Sequence, residues 1–145
     1  MATVRDMIRK KGYDVFTITP ESTVFEALNL MAEHNIGALL VMTGAEIKGI
    51  VSERDCIRKV DVRGRNAKDT KISEIMTSDV ITVDASQPLE ECMSVMIEKN
   101  IRHLPVCEGK ELLGVVSVRD VLREMIEVQQ MMLSQLERYI TGAGR

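Results

Sequence analysis

The chain contains the same pattern twice. Sliding its 145 residues by 65 positions lays residues 14–60 on 79–125 without a gap, and 18 of the 47 aligned pairs are identical. The matches include Glu26/Glu91, Met31/Met96, Asn35/Asn100, Ile36/Ile101, Gly44/Gly109, Gly49/Gly114, Ser52/Ser117 and Asp55/Asp120. Upstream, VRDMI (4–8) echoes ISEIM (72–76) at a slightly larger offset. A duplication of this strength requires one unit to fold twice. Two copies are too few for an open solenoid, so a closed pair is expected.

Each copy reads β-α-β-β-α. The expected strands are 15–18, 38–42 and 47–51 in the first copy, and 80–83, 104–107 and 112–116 in the second. Helices are expected at 24–34 and 89–99. Thr23 and Glu26 have capping-box spacing, and Pro88 suits a first helical turn. Val24, Ala27, Leu28, Met31 and Ala32 recur at helical spacing, giving one buried face. Gly44 and Gly109 mark turns between strands, and a further helix begins at Ser52 and at Ser117. The apolar strands ALLVM and LLGVV predict sheets covered by helices, an α/β fold. The repeats are placed at 4–60 and 72–125, a polar linker at 61–71 and a C-terminal helical extension at 126–145. Arg63, Arg65, Lys68 and Lys71 make the linker locally basic, as a solvated loop or as a reach toward phosphate.

Composition narrows the function classes. Net charge is -3, with two Tyr, two Phe and no Trp. There is no global basic field for nucleic acid, and stacking platforms are scarce. No apolar run approaches the roughly 20 residues that span a bilayer. The start, MATVRDMIRKKG, has no apolar signal core, so a cytoplasmic protein is expected. Cys56, Cys92 and Cys107 have no metal-ligand spacing and read as reduced core residues; no metal is expected. With two distant histidines and no G-x-S-x-G, no nucleophile–base pair emerges, and no catalytic role is assigned.

The residues richest in information are GIVSERD (49–55) and GVVSVRD (114–120), each joining a strand to a helix. One reading is local: serine caps the helix and aspartate complements its dipole. The other is a ligand site, since such a corner offers N–H groups to an anion and a carboxylate to a vicinal diol. The two are compatible.

These corners, with STVFEALNLMAEHNIGALLV and NIRHLPV inside a doubled β-α-β-β-α unit, resemble the CBS domain, named after cystathionine β-synthase. The resemblance covers about residues 4–125 and suggests a free-standing tandem module. It implies two repeats about a pseudo-twofold axis, with clefts between them that hold adenosine-containing ligands: AMP, ADP, ATP, NAD(H) or S-adenosylmethionine. By resemblance, Asp55 and Asp120 hold ribose hydroxyls, and Ser52 and Ser117 bond ribose or phosphate. The backbone of Thr17, Ile18 and Thr19, and of Thr82, Val83 and Asp84, reads the adenine edge. Ile50, Val115 and Pro105 line the base. The task implied is regulatory, acting on a protein partner that the sequence does not name.

Two departures from symmetry stand out. Arg102 and His103 precede a strand in the second copy where the first has Gly37 and Ala38, so phosphate is expected at non-equivalent clefts. His103, titrating near neutrality, is expected either to bind phosphate more strongly when protonated or to be a capped surface imidazole. Arg54 and Arg119 are second-rank phosphate contacts or solvent-facing residues. His34 closes a helix and reads as structural. The last helix runs uninterrupted from Arg119 to Ile140. Leu122, Met125, Ile126, Met132, Leu133, Leu136 and Ile140 form a stripe on it, broken by Gln129 and too long for one repeat to bury, which reads as core plus a fraying tail or, as expected here, as a homodimer contact. A structural dimer without a ligand is the alternative.

Overall fold

Short-range signals set the ends of the helices. Thr23 accepts a hydrogen bond from the Glu26 amide and opens α2 (Val24–His34), which ends at Asn35 in the left-handed conformation. The second copy repeats this with α4 (Leu89–Lys99), closed by left-handed Asn100. Asparagine tolerates that conformation better than most residues. Pro88 stands at the cap of α4, one position before the first turn it was expected to occupy. Behind these helices lie β1 (Thr17–Ile18), β2 (Ala38–Thr43) and β3 (Glu46–Ser52), and in the second copy β4 (Val83–Asp84), β5 (His103–Glu108) and β6 (Glu111–Ser117). Each set forms a three-stranded sheet in chain order, its first pair parallel and its second antiparallel.

Both short strands start later than expected, at Thr17 rather than 15 and at Val83 rather than 80, and Pro105 accounts for the extra residue in the second copy. Thr17 pairs with Leu40, whose repeat equivalent is Pro105. Ile50, opposite Leu40, sends both its N–H and its C=O to Thr77. Leu40 therefore turns its own backbone groups toward β1. The same geometry aims Pro105 at β4 with no N–H to donate. The ladder there begins one residue later, at Val83 and Val106.

The computed structural model describes residues 2–142, so the last three positions of the expected extension lie outside the described residues. Two compact units emerge: Val15–Ile81, and the residues up to Asp14 together with those from Thr82 onward. In the first unit, α2 packs on β2 and β3 through Val24, Ala27, Met31, Leu39, Val41 and Val51, with Ile72 and Ile75 in the same core. In the second, α4 and α5 (Val118–Thr141) share a core with α1 (Val4–Lys11). Val4 and Ile72, equivalent by the short upstream echo, are thus each buried in the unit that carries the other copy's strands. The sequence repeat and the spatial unit differ by this exchange of leading segments.

The segment expected as a linker is packed rather than merely solvated. Helical backbone continues past α3 (Glu53–Cys56) to Asp61 in a wider π turn, and Val60 is buried. Thr70 is buried too, its carbonyl accepting the Val24 amide at 2.8 Å. The basic side chains remain on the outside: Arg65 pairs with Glu74, and Lys68 lies over the Phe25 ring. No helix among the described residues is long and apolar enough to cross a membrane.

The exchanged segments need glycine beneath them. A Cβ on Gly49 would lie 2.8 Å from both the Thr77 carbonyl oxygen and the Met76 sulfur, while one on Gly114 would meet only the Ile8 side chain, 2.9 Å from its Cδ1. Backbone cannot turn aside, but an isoleucine tip can. Gly49→Ala is therefore expected to cost about 1–3 kcal/mol in overpacking, and Gly114→Ala less. Thermal unfolding of the two variants checks this order; equal melting midpoints would contradict it.

Candidate functional site

Both strand–helix corners are closed capping boxes. At β3–α3, Asp55 Oδ2 accepts from the Ser52 amide at 2.9 Å and from its hydroxyl at 3.0 Å, and Ser52 Oγ accepts from the Asp55 amide at 3.2 Å. At β6–α5, Asp120 Oδ2 accepts from the Ser117 amide at 2.8 Å, and Ser117 Oγ accepts from the Asp120 amide at 3.2 Å. The N–H groups expected to be open here are largely taken. Those of Glu53 and Val118 donate to the carbonyls of Gly37 and Arg102. Only the middle amide of each first turn, on Arg54 or Arg119, stays outside these bonds.

The capping reading is therefore correct, and it shapes the carboxylates for further use. Each cap turns its aspartate back toward the strand end, with one oxygen engaged by serine. A half-buried carboxylate held this way can accept hydroxyl hydrogens without first paying to become ordered.

Each carboxylate also holds a lysine. Lys59, one turn along, lies 3.3 Å from Asp55 Oδ1 and donates to the Ile75 carbonyl at 2.8 Å. Lys11, arriving from α1, donates at 2.6 Å to Asp120 Oδ2 and at 2.6 Å to the Val115 carbonyl. Neither lysine was among the expected site residues. Lys59 stood four residues from Asp55 in plain view, whereas nothing local marked Lys11, 109 positions from its partner.

Burial alone would raise the Asp120 pKa, but the Lys11 hydrogen bond, the Ser117 bonds and the Lys11 charge outweigh it and hold the carboxyl below its usual range. A depressed carboxylate contributes stability above its unfolded pKa, near 3.9, and loses that contribution as pH falls through the lower folded value. The group is thus fully ionised at neutral pH.

The other expected residues divide between the two units. Ile50, Ser52, Arg54 and Asp55 gather at the β3–α3 corner, while Thr17 and Ile18 lie on β1 across the intervening β2, with Thr19 just after. In the second unit, Val115, Ser117, Arg119 and Asp120 share the β6–α5 corner, and His103 pairs in register with Ser117. Thr82 is exposed and Val83 buried in the core, so Val83 offers its backbone alone to a ligand. Ile50 and Val115 are half-buried, Pro105 is buried, and Arg102 and Arg119 are exposed.

His103 does not behave as expected of a protonated phosphate binder. Burial first, then the Lys11 charge, push its pKa below the usual histidine value; Asp120 opposes and Arg102 adds to the lowering. The imidazole is neutral at pH 7, and the cations on this side are Lys11, Arg102 and Arg119. Cys56 and Cys92 fit the core reading, burial first pushing both up to about 11, whereas Cys107, near the end of β5, is only half-buried.

Comparison with known proteins agrees with this architecture. The CBS domain family model matches residues 4–62 and 72–127. The chain is 36% identical to the CBS domain-containing protein CBSX3, mitochondrial, of Arabidopsis thaliana, over 97% of this chain and 72% of that one. A solved protein with CBS domains from Burkholderia ambifaria is 43% identical with a TM-score of 0.84, covering 87% of this chain and 95% of its own. The CBS domain pair of protein MJ0100, solved in complex with 5'-methylthioadenosine and S-adenosyl-L-methionine, has a TM-score of 0.76 at 25% identity, covering 86% of this chain and 96% of that one. Two matched repeats, two sheets of the same order and two capped corners lead to one conclusion: the chain belongs to the CBS-domain family, as a tandem pair.

Proposed function

We propose that this protein is a non-catalytic sensor module that binds AMP, ADP, ATP or NAD(H) and signals to a protein partner by shifting its conformational balance. The observation that carries this reading is the paired serine–aspartate cap. At each corner an ordered carboxylate is turned to accept a ribose diol, with an ammonium beside it. The adenosine ligands of the MJ0100 pair support the ligand class. Asp55 and Asp120 hold ribose hydroxyls, Ser52 and Ser117 assist, and the β1 and β4 backbones read the base. S-adenosylmethionine is the competing ligand, and the cation beside each carboxylate disfavours it.

We further infer that the protein is a homodimer joined through α5, whose outer stripe is exposed beyond the core. Its three unpaired cysteines suit a reducing compartment such as cytoplasm.

Thermal unfolding against AMP, ADP, ATP, NAD, NADH and S-adenosylmethionine tests the ligand reading. A ligand at 100 times its Kd adds about 2.7 kcal/mol of stability, so a cognate nucleotide is expected to raise the midpoint clearly. A midpoint that none of them moves would leave the structural-dimer alternative standing.

A further inference from the structure

The two corners obtain their lysines by different routes, and the cause is a charge reversal at one repeat position. Lys59 matches Glu124 when the copies are aligned. In the first copy that position gives Asp55 a cation from its own helix. In the second it carries a carboxylate, which would repel Asp120 from one turn away. The structure compensates from α1: Lys10 takes Glu124 at 2.7 Å and Lys11 takes Asp120. The sheet edge changes in parallel. Where Ile50 pairs with the backbone of Thr77, the equivalent Val115 gives its carbonyl to the Lys11 ammonium.

This ammonium is well placed to act on a ligand. It has three N–H donors. Two are used, on Asp120 and on Val115, and one remains. Its side chain is 40% exposed, while its partner Asp120 is 16% exposed. A diol on the Asp120 carboxylate would therefore lie next to a fixed cation, and Arg102 immediately precedes His103, the sheet partner of Ser117. At the Asp55 corner, Gly37 and Ala38 replace Arg102 and His103.

From this geometry we propose that Lys11 is the specificity-determining residue of the Asp120 corner, selecting phosphate-bearing adenosine ligands over uncharged ones. The proposal rests on the nucleotide-binding reading above. The lysine neutralises the carboxylate that holds the sugar and offers its remaining N–H to the ligand's phosphate. The Asp120 corner thus takes its ligand class from a helix outside its own repeat.

Calorimetric titration with AMP and with adenosine tests this, using the full chain in an Asp55→Asn background so that the Asp120 corner reports. The ratio of the two affinities is the readout, because a role limited to packing α1 would shift both ligands together. One charge-assisted hydrogen bond corresponds to about a tenfold or larger preference. Lys11→Met is expected to remove that AMP preference and leave adenosine binding in place. Lys11→Arg, which keeps the charge, is expected to retain most of the preference. Lys10→Met loosens the same helix without touching Asp120 and is expected to leave the ratio unchanged. An unchanged ratio in Lys11→Met, or an equal loss in Lys10→Met, would overturn the role of Lys11 while the nucleotide reading survives. Failure of the unmodified chain to bind either compound would remove both.

Discussion

Asp120→Ala is expected to weaken a phosphorylated adenosine ligand by about a hundredfold or more, since two charge-assisted hydrogen bonds to the sugar are lost together. The same change removes the acceptor of the Ser117 amide and leaves Lys11 without its counter-ion, so about 1 kcal/mol of stability goes with it. Asp120→Asn separates the two effects. Its amide oxygen can still accept from Ser117, which preserves the cap, but the atom then left for the diol is an NH2 donor in place of a carboxylate oxygen. It is expected to unfold near the parent temperature and to bind about tenfold or more weakly. Asp55→Ala is expected to have a smaller effect on phosphorylated ligands, because the first copy has Gly37 where the second has the cation Arg102. Calorimetry on the three variants measures this order directly. An equal or larger loss in Asp55→Ala would show that the Asp55 corner is the main phosphate site.

Ending the chain after Met125 is expected to halve the particle mass measured by light scattering. The reason lies in the mismatch between α5 and its core. Val121 and Glu124 are the only buried residues of this 24-residue helix, and Met125 is the last apolar side chain packed against the core. Beyond it Ile126, Met132, Leu133, Leu136 and Ile140 are 53% to 74% exposed. The apolar positions recur every seven residues: Leu122 and Leu136 with Gln129 between them, Met125 with Met132 and Tyr139, and Ile126 with Leu133 and Ile140. A seven-residue apolar seam is the pattern one helix presents to another. An apolar face of this extent is uncommon on a monomer. Because truncation removes little of the core, circular dichroism of the shortened chain should still show both sheets and the remaining helices. Leu133→Glu tests the same contact without shortening the chain and is also expected to give monomers. A full-length chain that is already monomeric, or a truncated one that keeps its mass, would refute the α5 interface.

Much of this architecture is legible in the residues because the signals are short-range. Thr23, Ser52 and Ser117 act on amides three positions away, and Asn35 and Asn100 end helices by their own backbone conformation. Helix limits at 24–34 and 89–99 therefore follow from the chain alone. So does the capped aspartate at each corner, because serine and aspartate meet within one turn. The duplication adds a second reading of every element, and the family resemblance suggests the ligand class proposed above. Weaker short-range signals mislead by a residue or more. Pro105 delays β4 because the missing N–H matters only once the strand opposite it is known.

The long-range pairings were set by the tertiary structure. Val4 and Ile72 read as equivalent starts of two repeats, yet each packs with the other copy's strands. Burial is non-directional, so two similar apolar segments give no indication in sequence of which core each will enter. Glu124 is buried against Lys10, a residue 114 positions away. His103 reads as a titrating surface group and is instead desolvated beside Lys11. The sequence by itself determined the repeated unit, its helices and the serine–aspartate corners, because each depends on residues within a few positions of one another. Only the tertiary structure decided that Asp120 takes its cation from α1, because that pairing joins groups 109 positions apart whose meeting depends on how the exchanged helix packs.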